Sequence, residues 1–195
     1  GIEHPAIINT MRYLEEQGFR VTFLPVDRYG RVQLEALKEA LCDETILVSV
    51  MYVNNEVGSV QPVAEAASIV KAYNKNILFH VDAVQGFGKY RIHPKKLGVD
   101  LCSISGHKIH GPKGTGVLYI DSKVKIKPIL FGGEQQKNIR SGTENVPGIA
   151  GLSLAAKTIY EDLDEKVQKM RKLKEHFIEG IARIENTTIH GLYDE

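Results

Sequence analysis

Lys108 lies in a loop where a lysine amine is placed to do chemistry. The apolar run Val99 to Ile104 predicts a strand buried on both faces, and Gly116 to Ile120 predicts the next strand. The loop between them reads Ser-Gly-His-Lys-Ile-His-Gly-Pro-Lys-Gly-Thr-Gly, from Ser105 to Gly116. Because ligands of α/β sheets bind at the carboxyl ends of strands, we expect Lys108 at a binding edge. Partial desolvation there would favour an uncharged amine, the nucleophile that forms a Schiff base.

Asp82 ends a second predicted strand, where Ile77 to Phe79 runs into His80-Val-Asp-Ala-Val-Gln85. A lysine and a carboxylate at two strand ends are the protein groups that pyridoxal phosphate (PLP) requires. The lysine holds the aldehyde, and the carboxylate keeps the ring nitrogen protonated. The alternatives are an ordinary surface lysine in a loop and an aspartate that caps the next helix.

Two other patterns in this loop are weaker. His107 and His110 could form a metal pair, but no other cluster supplies the remaining ligands. The Gly-Pro-Lys-Gly-Thr-Gly run that starts at Gly111 resembles a phosphate loop but lacks its Gly-Lys-Ser/Thr ending. We therefore predict no metal and no P-loop.

Apolar runs alternate with amphipathic segments, which predicts an α/β fold with a mostly parallel sheet flanked by helices. From Val146 the pattern indicates one long helix with a charged, solvated face. The other predicted helices are Pro5 to Gly18, Leu34 to Leu41 and Pro62 to Tyr73. The further predicted strands are Phe19–Val26, Thr45–Val53, Lys123–Leu130 and a short one starting over Thr187–His190.

Composition narrows the class of function. The 195 residues are 43% hydrophobic, enough for a real core, and the net charge of +1 gives no electrostatic case for nucleic acid or an anionic membrane. No apolar run is long enough to span a bilayer. Two dispersed cysteines, Cys42 and Cys102, predict neither a disulfide framework nor a zinc cluster. A reducing, cytoplasmic location is the expectation.

Four motifs in this order resemble the cysteine desulfurases, a family of fold-type I PLP enzymes. They are Val-Asn-Asn-Glu-Val-Gly-Ser-Val-Gln-Pro, His-Val-Asp-Ala-Val-Gln, Ser-Gly-His-Lys-Ile-His-Gly-Pro-Lys-Gly and Arg-Ser-Gly-Thr-Glu-Asn-Val. Within that family the chain is more similar to the NifS/IscS-like group than to the SufS-like group. The similarity covers essentially the whole chain, which resembles a central portion of such an enzyme.

The resemblance implies roles for single residues. Lys108 would form the Schiff base and later move protons at the substrate Cα, and Asp82 would pair with the ring nitrogen. His4 matches the histidine that stacks over the ring and can carry a proton. Gln85 matches the hydrogen-bond partner of the phenolic oxygen, and Asn55 lies near that oxygen and the substrate carboxylate. His80 has no equally firm role, and we interpret it either as a packing residue or as a support for the residues that contact the cofactor.

The phosphate contacts implied by the resemblance involve two subunits. Ser105 and His107 match positions that bind the cofactor phosphate. Thr143 matches a threonine that reaches the phosphate of the neighbouring subunit, which implies a homodimer with shared sites. From the residues alone, an exposed turn at Thr143 is as good an interpretation.

The resemblance also implies how the whole protein is organised. Residues 1–145 would be part of the PLP-binding large domain, 146–186 a long helix leading to a small domain, and 187–195 its start. The nucleophilic cysteine and the arginine that grips the substrate carboxylate would lie beyond Glu195, and a phosphate-binding turn would lie before Gly1. Neither Cys42 nor Cys102 occupies the place of the nucleophile, so we expect this chain alone to lack part of the sulfur chemistry.

The activity implied is conversion of L-cysteine to L-alanine, with persulfide sulfur passed to an iron–sulfur scaffold or a thiolation partner. Two alternatives remain open. One is another class V PLP enzyme, a selenocysteine lyase or an aminotransferase, against which the motif ending in Thr143-Glu-Asn-Val speaks. The other is a non-catalytic interaction domain that keeps the fold and binds no PLP.

Overall fold

The computed structural model describes residues 1–191 and is built on a four-stranded sheet. The strands lie in the order β1-β2-β3-β4, and β1, β2 and β3 run parallel while β4 is antiparallel to β3. Their bounds are Leu47–Met51, Leu78–Asp82, Leu101–Ser105 and Gly116–Ile120. The prediction of a mostly parallel sheet flanked by helices is confirmed.

The helices before the sheet's last strands also follow the sequence pattern. Pro5 occupies the first turn of α1, where its missing N–H costs nothing, and His4 caps that helix. The helices are α1 Pro5–Glu16, α2 Leu34–Ala40, α3 Val63–Tyr73, a 3₁₀ helix Gly106–Ile109, α4 Val146–Glu161 and α5 Leu163–Ile181. The three helices predicted before β2 are therefore confirmed.

The core lies on one face of the sheet. Phe79 and Val81 of β2 are buried there against Ala66 and Val70 of α3. Because side chains alternate along a strand, His80 and Asp82 point to the opposite face. The sheet thus has one apolar face for folding and one polar face available for chemistry.

Three predicted strands are absent from the structure. Phe19–Val26 forms one isolated bridge, from Val26 to Val32, and Lys123–Leu130 forms one from Leu130 to Arg140. Thr187–His190 has no regular structure, and the rest of the predicted small-domain start, residues 192–195, lies outside the described residues. Apolar residues favour extended backbone, but a strand also needs a neighbouring strand to bond, and Pro25 removes a donor from the first segment.

The predicted long helix is two helices. At Asp162 the backbone leaves the helical region, with φ −121° and ψ 39°, and α5 starts at the next residue. The break buries Leu163, whereas Leu173 and Phe177 of the same apolar stripe are exposed. Within residues 1–191, no helix combines the length and apolarity needed to cross a membrane.

A half-buried ion pair ties α3 to β2 and β3. Asp100 Oδ2 accepts hydrogen bonds from the Lys71 ammonium and, at 2.7 Å, from the Phe79 N–H. Lys71 also donates to the Ile77 carbonyl oxygen at 2.6 Å. One carboxylate thus joins the end of α3 to the start of β2, directly beside the core.

We predict that Asp100→Ala lowers the free energy of unfolding by about 2 kcal/mol, because it leaves a half-buried ammonium and an amide without their acceptor. The matched control is Asp164→Ala. Asp164 pairs with Arg91 in an exposed ion pair, and such pairs contribute little. Urea unfolding of the full-length protein measures both variants. Equal losses in the two would contradict the role given to Asp100.

Candidate functional site

The register of the parallel strands lines up the candidate site. Met51 of β1 pairs with Asp82 of β2, and Asp82 pairs with Ser103 of β3. Ser105 ends β3, and the 3₁₀ helix that carries Lys108 follows directly. We call this end of β1, β2 and β3 the carboxyl edge. The structure therefore brings Asp82 and the Lys108 helix to the same end of the sheet, as we predicted from their positions after two strands.

Asp82 is a half-buried carboxylate that closes a turn. Its Oδ1 accepts the Val84 N–H at 3.0 Å, and turns rather than a helix follow. The helix-cap alternative therefore does not apply. The negative charge of Asp82 acts on its surroundings, since it contributes to raising the pKa of both Glu3 and Cys102.

Lys108 is exposed, and this differs from the partial desolvation expected of it. The 3₁₀ helix turns Gly106 and Ile109 inward, where both are buried, and leaves the side chains between them outside. A second amine lies close by. The pKa of half-buried Lys89 is lowered, first by burial and then by the charge of Lys108. No sequence signal singled out Lys89.

Close packing with α4 fixes the loop around Lys108. A Cβ placed on Gly106 would lie 2.3 Å from Thr115 Oγ1 and 3.1 Å from Leu152 Cδ1. A side chain at position 106 would therefore force Thr115 or its neighbours to shift. The absence of a side chain at Gly106 thus lets α4 pack closely against the 3₁₀ helix.

Ser105 and His107 lie together at the start of the 3₁₀ helix. Ser105 Oγ and His107 Nδ1 are 2.8 Å apart, within hydrogen-bond distance. Because these two atoms share one hydrogen bond, the tautomer decides whether the Ser105 hydroxyl or the His107 Nε2–H is left to donate to an anion. The two residues predicted to bind phosphate are therefore neighbours in space.

The segment before α1 is fastened to the carboxyl edge, which places His4 there. Glu3 Oε1 accepts the Met51 N–H at 2.8 Å, and Asn54 Nδ2 donates to the Ile2 carbonyl oxygen at 2.8 Å. His4 Nδ1 accepts the Ala6 N–H at 3.1 Å, so His4 is the N-cap of α1 and exposed. Glu3 and Asn54 were not singled out from the sequence.

The remaining predicted residues lie in loops. Asn55 is exposed in the loop after β1, and Gln85 is half-buried in the turns after Asp82. Thr143 is exposed shortly before α4 begins, in a loop where the Gly142 N–H donates to Gln135 Oε1 at 2.9 Å. Asn55 and Gln85 thus follow the carboxyl edge, while Thr143 belongs to a separate loop.

A polar rung crosses the sheet just before Asp82. His80 Nδ1 is 2.8 Å from Ser49 Oγ of β1, and His80 Nε2 is 2.8 Å from Ser103 Oγ of β3. Burial lowers the pKa of His80, against the opposing effect of the Asp82 charge. The imidazole therefore links three strands through hydrogen bonds, which favours the supporting role among the two interpretations of His80.

The two cysteines differ in position and in acidity. Cys102 is buried within β3, and burial raises its pKa to about 11. Cys42 follows α2 and precedes β1, so it lies toward the opposite end of the sheet from the carboxyl edge. Its pKa is lowered, chiefly by the Thr45 hydroxyl. Among residues 1–191, no group of three or more acidic, cysteine or histidine side chains is placed to hold a metal ion.

An α/β domain with an aspartate and a lysine at the ends of neighbouring parallel strands has the layout of a ligand-binding enzyme domain. The whole chain, residues 1–195, matches the family described as Aminotransferase class-V. The chain therefore belongs to the class-V aminotransferase family.

Within this family, the chain is most usefully compared with proteins named cysteine desulfurase or NifS-like protein. The chain is 48% identical over 190 residues to the cysteine desulfurase IscS of Methanosarcina thermophila, covering 97% of this chain and 46% of that protein. It is 52% identical over 180 residues to the putative cysteine desulfurase IscS 1 of Bacillus subtilis (strain 168), covering 92% and 47%. A solved NifS-like protein superposes with a TM-score of 0.94 at 46% identity, over 98% of this chain and 52% of that one. The chain thus spans about half the length of the relatives it matches.

We predict that iodoacetamide at about pH 8 alkylates Cys42 long before Cys102 in the native full-length protein. The Cys42 thiol is half-buried with a lowered pKa, whereas Cys102 is buried with a raised one. Peptide mass mapping over time gives both rates. Cys42→Ser controls for assignment, and unfolding should equalise access. Similar rates in the native protein would contradict the burial of Cys102.

Proposed function

We propose that this chain is the cofactor-binding part of a PLP-dependent cysteine desulfurase, which converts L-cysteine to L-alanine and passes on the sulfur as a persulfide. The observation that carries the proposal is the shared carboxyl edge of Asp82 and the Lys108 helix. The similarity to proteins named cysteine desulfurase, at 46% to 52% identity, supports the choice within the family.

The donor set at the carboxyl edge fits PLP. A half-buried carboxylate, Asp82, suits a pyridinium nitrogen, and the exposed amine of Lys108 is accessible to an aldehyde. The hydroxyl of Ser105 and the ring of His107, 2.8 Å apart, suit a phosphate group. The carboxyl edge thus offers three groups that suit PLP: a carboxylate, an amine and a hydrogen-bond donor for an anion.

When bound, PLP supplies an electron sink that stabilises negative charge at the substrate Cα. The part of Asp82 is to hold a proton on the ring nitrogen through a charge-assisted hydrogen bond. Its Oδ1 is already fixed by the Val84 N–H, which keeps the carboxylate from turning away from the carboxyl edge.

Lys108 would hold the cofactor and then move a proton at the substrate Cα. A base with this task needs freedom to reach two positions, and an exposed side chain on a backbone fixed by α4 provides it. His4 would stack over the ring. Its Nδ1 accepts the Ala6 N–H, so Nε2 is the nitrogen left to carry a proton toward the substrate.

Gln85 would donate to the phenolic oxygen of the ring, and Asn55 would bind near that oxygen and the substrate carboxylate. Both amides lie in loops that follow strands of the carboxyl edge. The proposed domain boundaries are 1–145 for the large domain, 146–186 for the link and 187–195 for the start of the small domain.

We further propose a cytoplasmic homodimer in which Thr143 reaches the phosphate of the partner's site. The loop that leads to Thr143 exposes Ile129 and Phe131 at 87% and 82%, which suits a surface covered by a second subunit. The proposed sulfur acceptor is an iron–sulfur scaffold or a thiolation protein.

Borohydride reduction of the full-length protein with PLP should fix a phosphopyridoxyl group on Lys108. Peptide mass mapping locates the label, and Lys108→Ala should remove it. Lys113→Ala is the matched control, because Lys113 lies in the same loop and is exposed. Lys89 is the competing site, since its half-buried amine lies close to Lys108. Label on Lys89 alone, or label that persists in Lys108→Ala, would contradict the assignment.

A further inference from the structure

We propose that Glu3 is a positioning residue that fastens the chain before His4 to the carboxyl end of β1, next to Asp82, and that it does so as a neutral acid. The inference rests on the proposed function in one respect, that His4 and Asp82 serve the cofactor. Its structural content, the anchor and its charge state, stands on this chain's own contacts.

The anchor is a long-range hydrogen bond. Glu3 Oε1 accepts the Met51 N–H at 2.8 Å, across 48 residues of sequence. Met51 is the residue of β1 that pairs with Asp82. Glu3 immediately precedes His4, so the bond sets where α1 begins relative to the strand ends. Asn54, which donates to the Ile2 carbonyl oxygen, holds the same segment at the residue before Glu3.

The charge state follows from the second carboxyl oxygen. Within residues 1–191, Glu3 Oε2 is the one buried side-chain nitrogen or oxygen atom without a hydrogen-bond partner. A negative charge on an unpaired buried oxygen is costly, and the nearby Asp82 carboxylate adds repulsion. A protonated Glu3 avoids both costs and still offers Oε1 to the Met51 N–H.

The titration of Glu3 agrees with this geometry. Its pKa is raised to about 7, chiefly by burial, and the Asp82 carboxylate of β2 raises it further against the opposing effect of the Met51 N–H. β1 contributes the Met51 amide, which does not titrate. Below about pH 7 the neutral form of Glu3 predominates, and Asp82 is then the single negative charge of the pair, the charge that suits a pyridinium partner.

The sign of the pH dependence is fixed by the raised pKa. The folded protein holds the Glu3 proton more tightly than the unfolded chain. The resulting stability is complete below the ordinary carboxyl pKa of about 4.5 and is lost as the pH rises to about 7. Relative to Glu3→Gln, the unfolding equilibrium constant of the wild type should therefore rise on the order of a hundredfold between these pH values.

The experiment compares three variants of the full-length protein with the wild type. Glu3→Gln keeps the acceptor and is neutral at every pH, whereas Glu3→Ala removes the acceptor. Glu15→Gln, an exposed glutamate of α1, is the matched control. Urea unfolding from about pH 5 to pH 8, amide exchange in the first turn of α1 and PLP affinity are measured on each.

We expect Glu3→Gln to keep slow exchange and PLP affinity and to lose stability less than the wild type as the pH rises. Glu3→Ala should exchange at least about tenfold faster in the first turn and bind PLP more weakly. If Glu3→Ala does not fold, Glu3→Met, which fills the volume without an acceptor, replaces it. If the variant without an acceptor exchanges its first-turn amides at the wild-type rate, Glu3 does not anchor the segment. If the stability of the wild type and of Glu3→Gln changes in parallel with pH, Glu3 is not a neutral acid. Absence of PLP binding by the wild type would instead overturn the proposed function, while exchange and pH profiles still decide on Glu3.

Discussion

The register of three parallel strands is the constraint on which the site depends. It sets Met51, Asp82 and Ser103 side by side, with Ser105 and the Lys108 helix following. A slip of one residue would turn Asp82 toward the core and bring an apolar neighbour to the polar face. The buried apolar side chains of β2 prevent that slip, because Phe79 and Val81 would then leave the core. The same burial that stabilises the fold therefore aims the carboxylate.

The polar face is stable because its groups are paired. Both ring nitrogens of His80 form hydrogen bonds with serines of the flanking strands, and Asp82 accepts a hydrogen bond from the Val84 N–H. Burial keeps His80 neutral, so the rung adds cohesion between strands without adding a charge beside Asp82. Against this background the unpaired oxygen of Glu3 stands out, and the proposed proton on Glu3 would remove the negative charge from it.

Local pattern predicted the sheet but not its contacts. Apolar runs located the strands that end at Asp82 and before Lys108, and the family resemblance supplied the candidate residues. The strand predicted over Phe19–Val26 was wrong because extended backbone without a partner is not a strand. The exposure of Lys108 could not be predicted from the sequence, because hydrophobic periodicity does not encode the orientation of a single 3₁₀ turn. The anchors Glu3 and Asn54 join residues about 50 apart in sequence, a pairing that no local pattern contains.

The central claim is that Asp82, fixed at the carboxyl edge, holds a proton on the ring nitrogen of PLP. Nitrogen NMR of the full-length protein loaded with isotope-labelled PLP tests it directly, with Asp82→Asn as the variant. The control is Asp121→Asn, because Asp121 follows β4 next to the start of β3, away from the carboxyl edge. We expect a pyridinium resonance in the wild type and the control, and a neutral pyridine resonance in Asp82→Asn. The same resonance in all three proteins would contradict it.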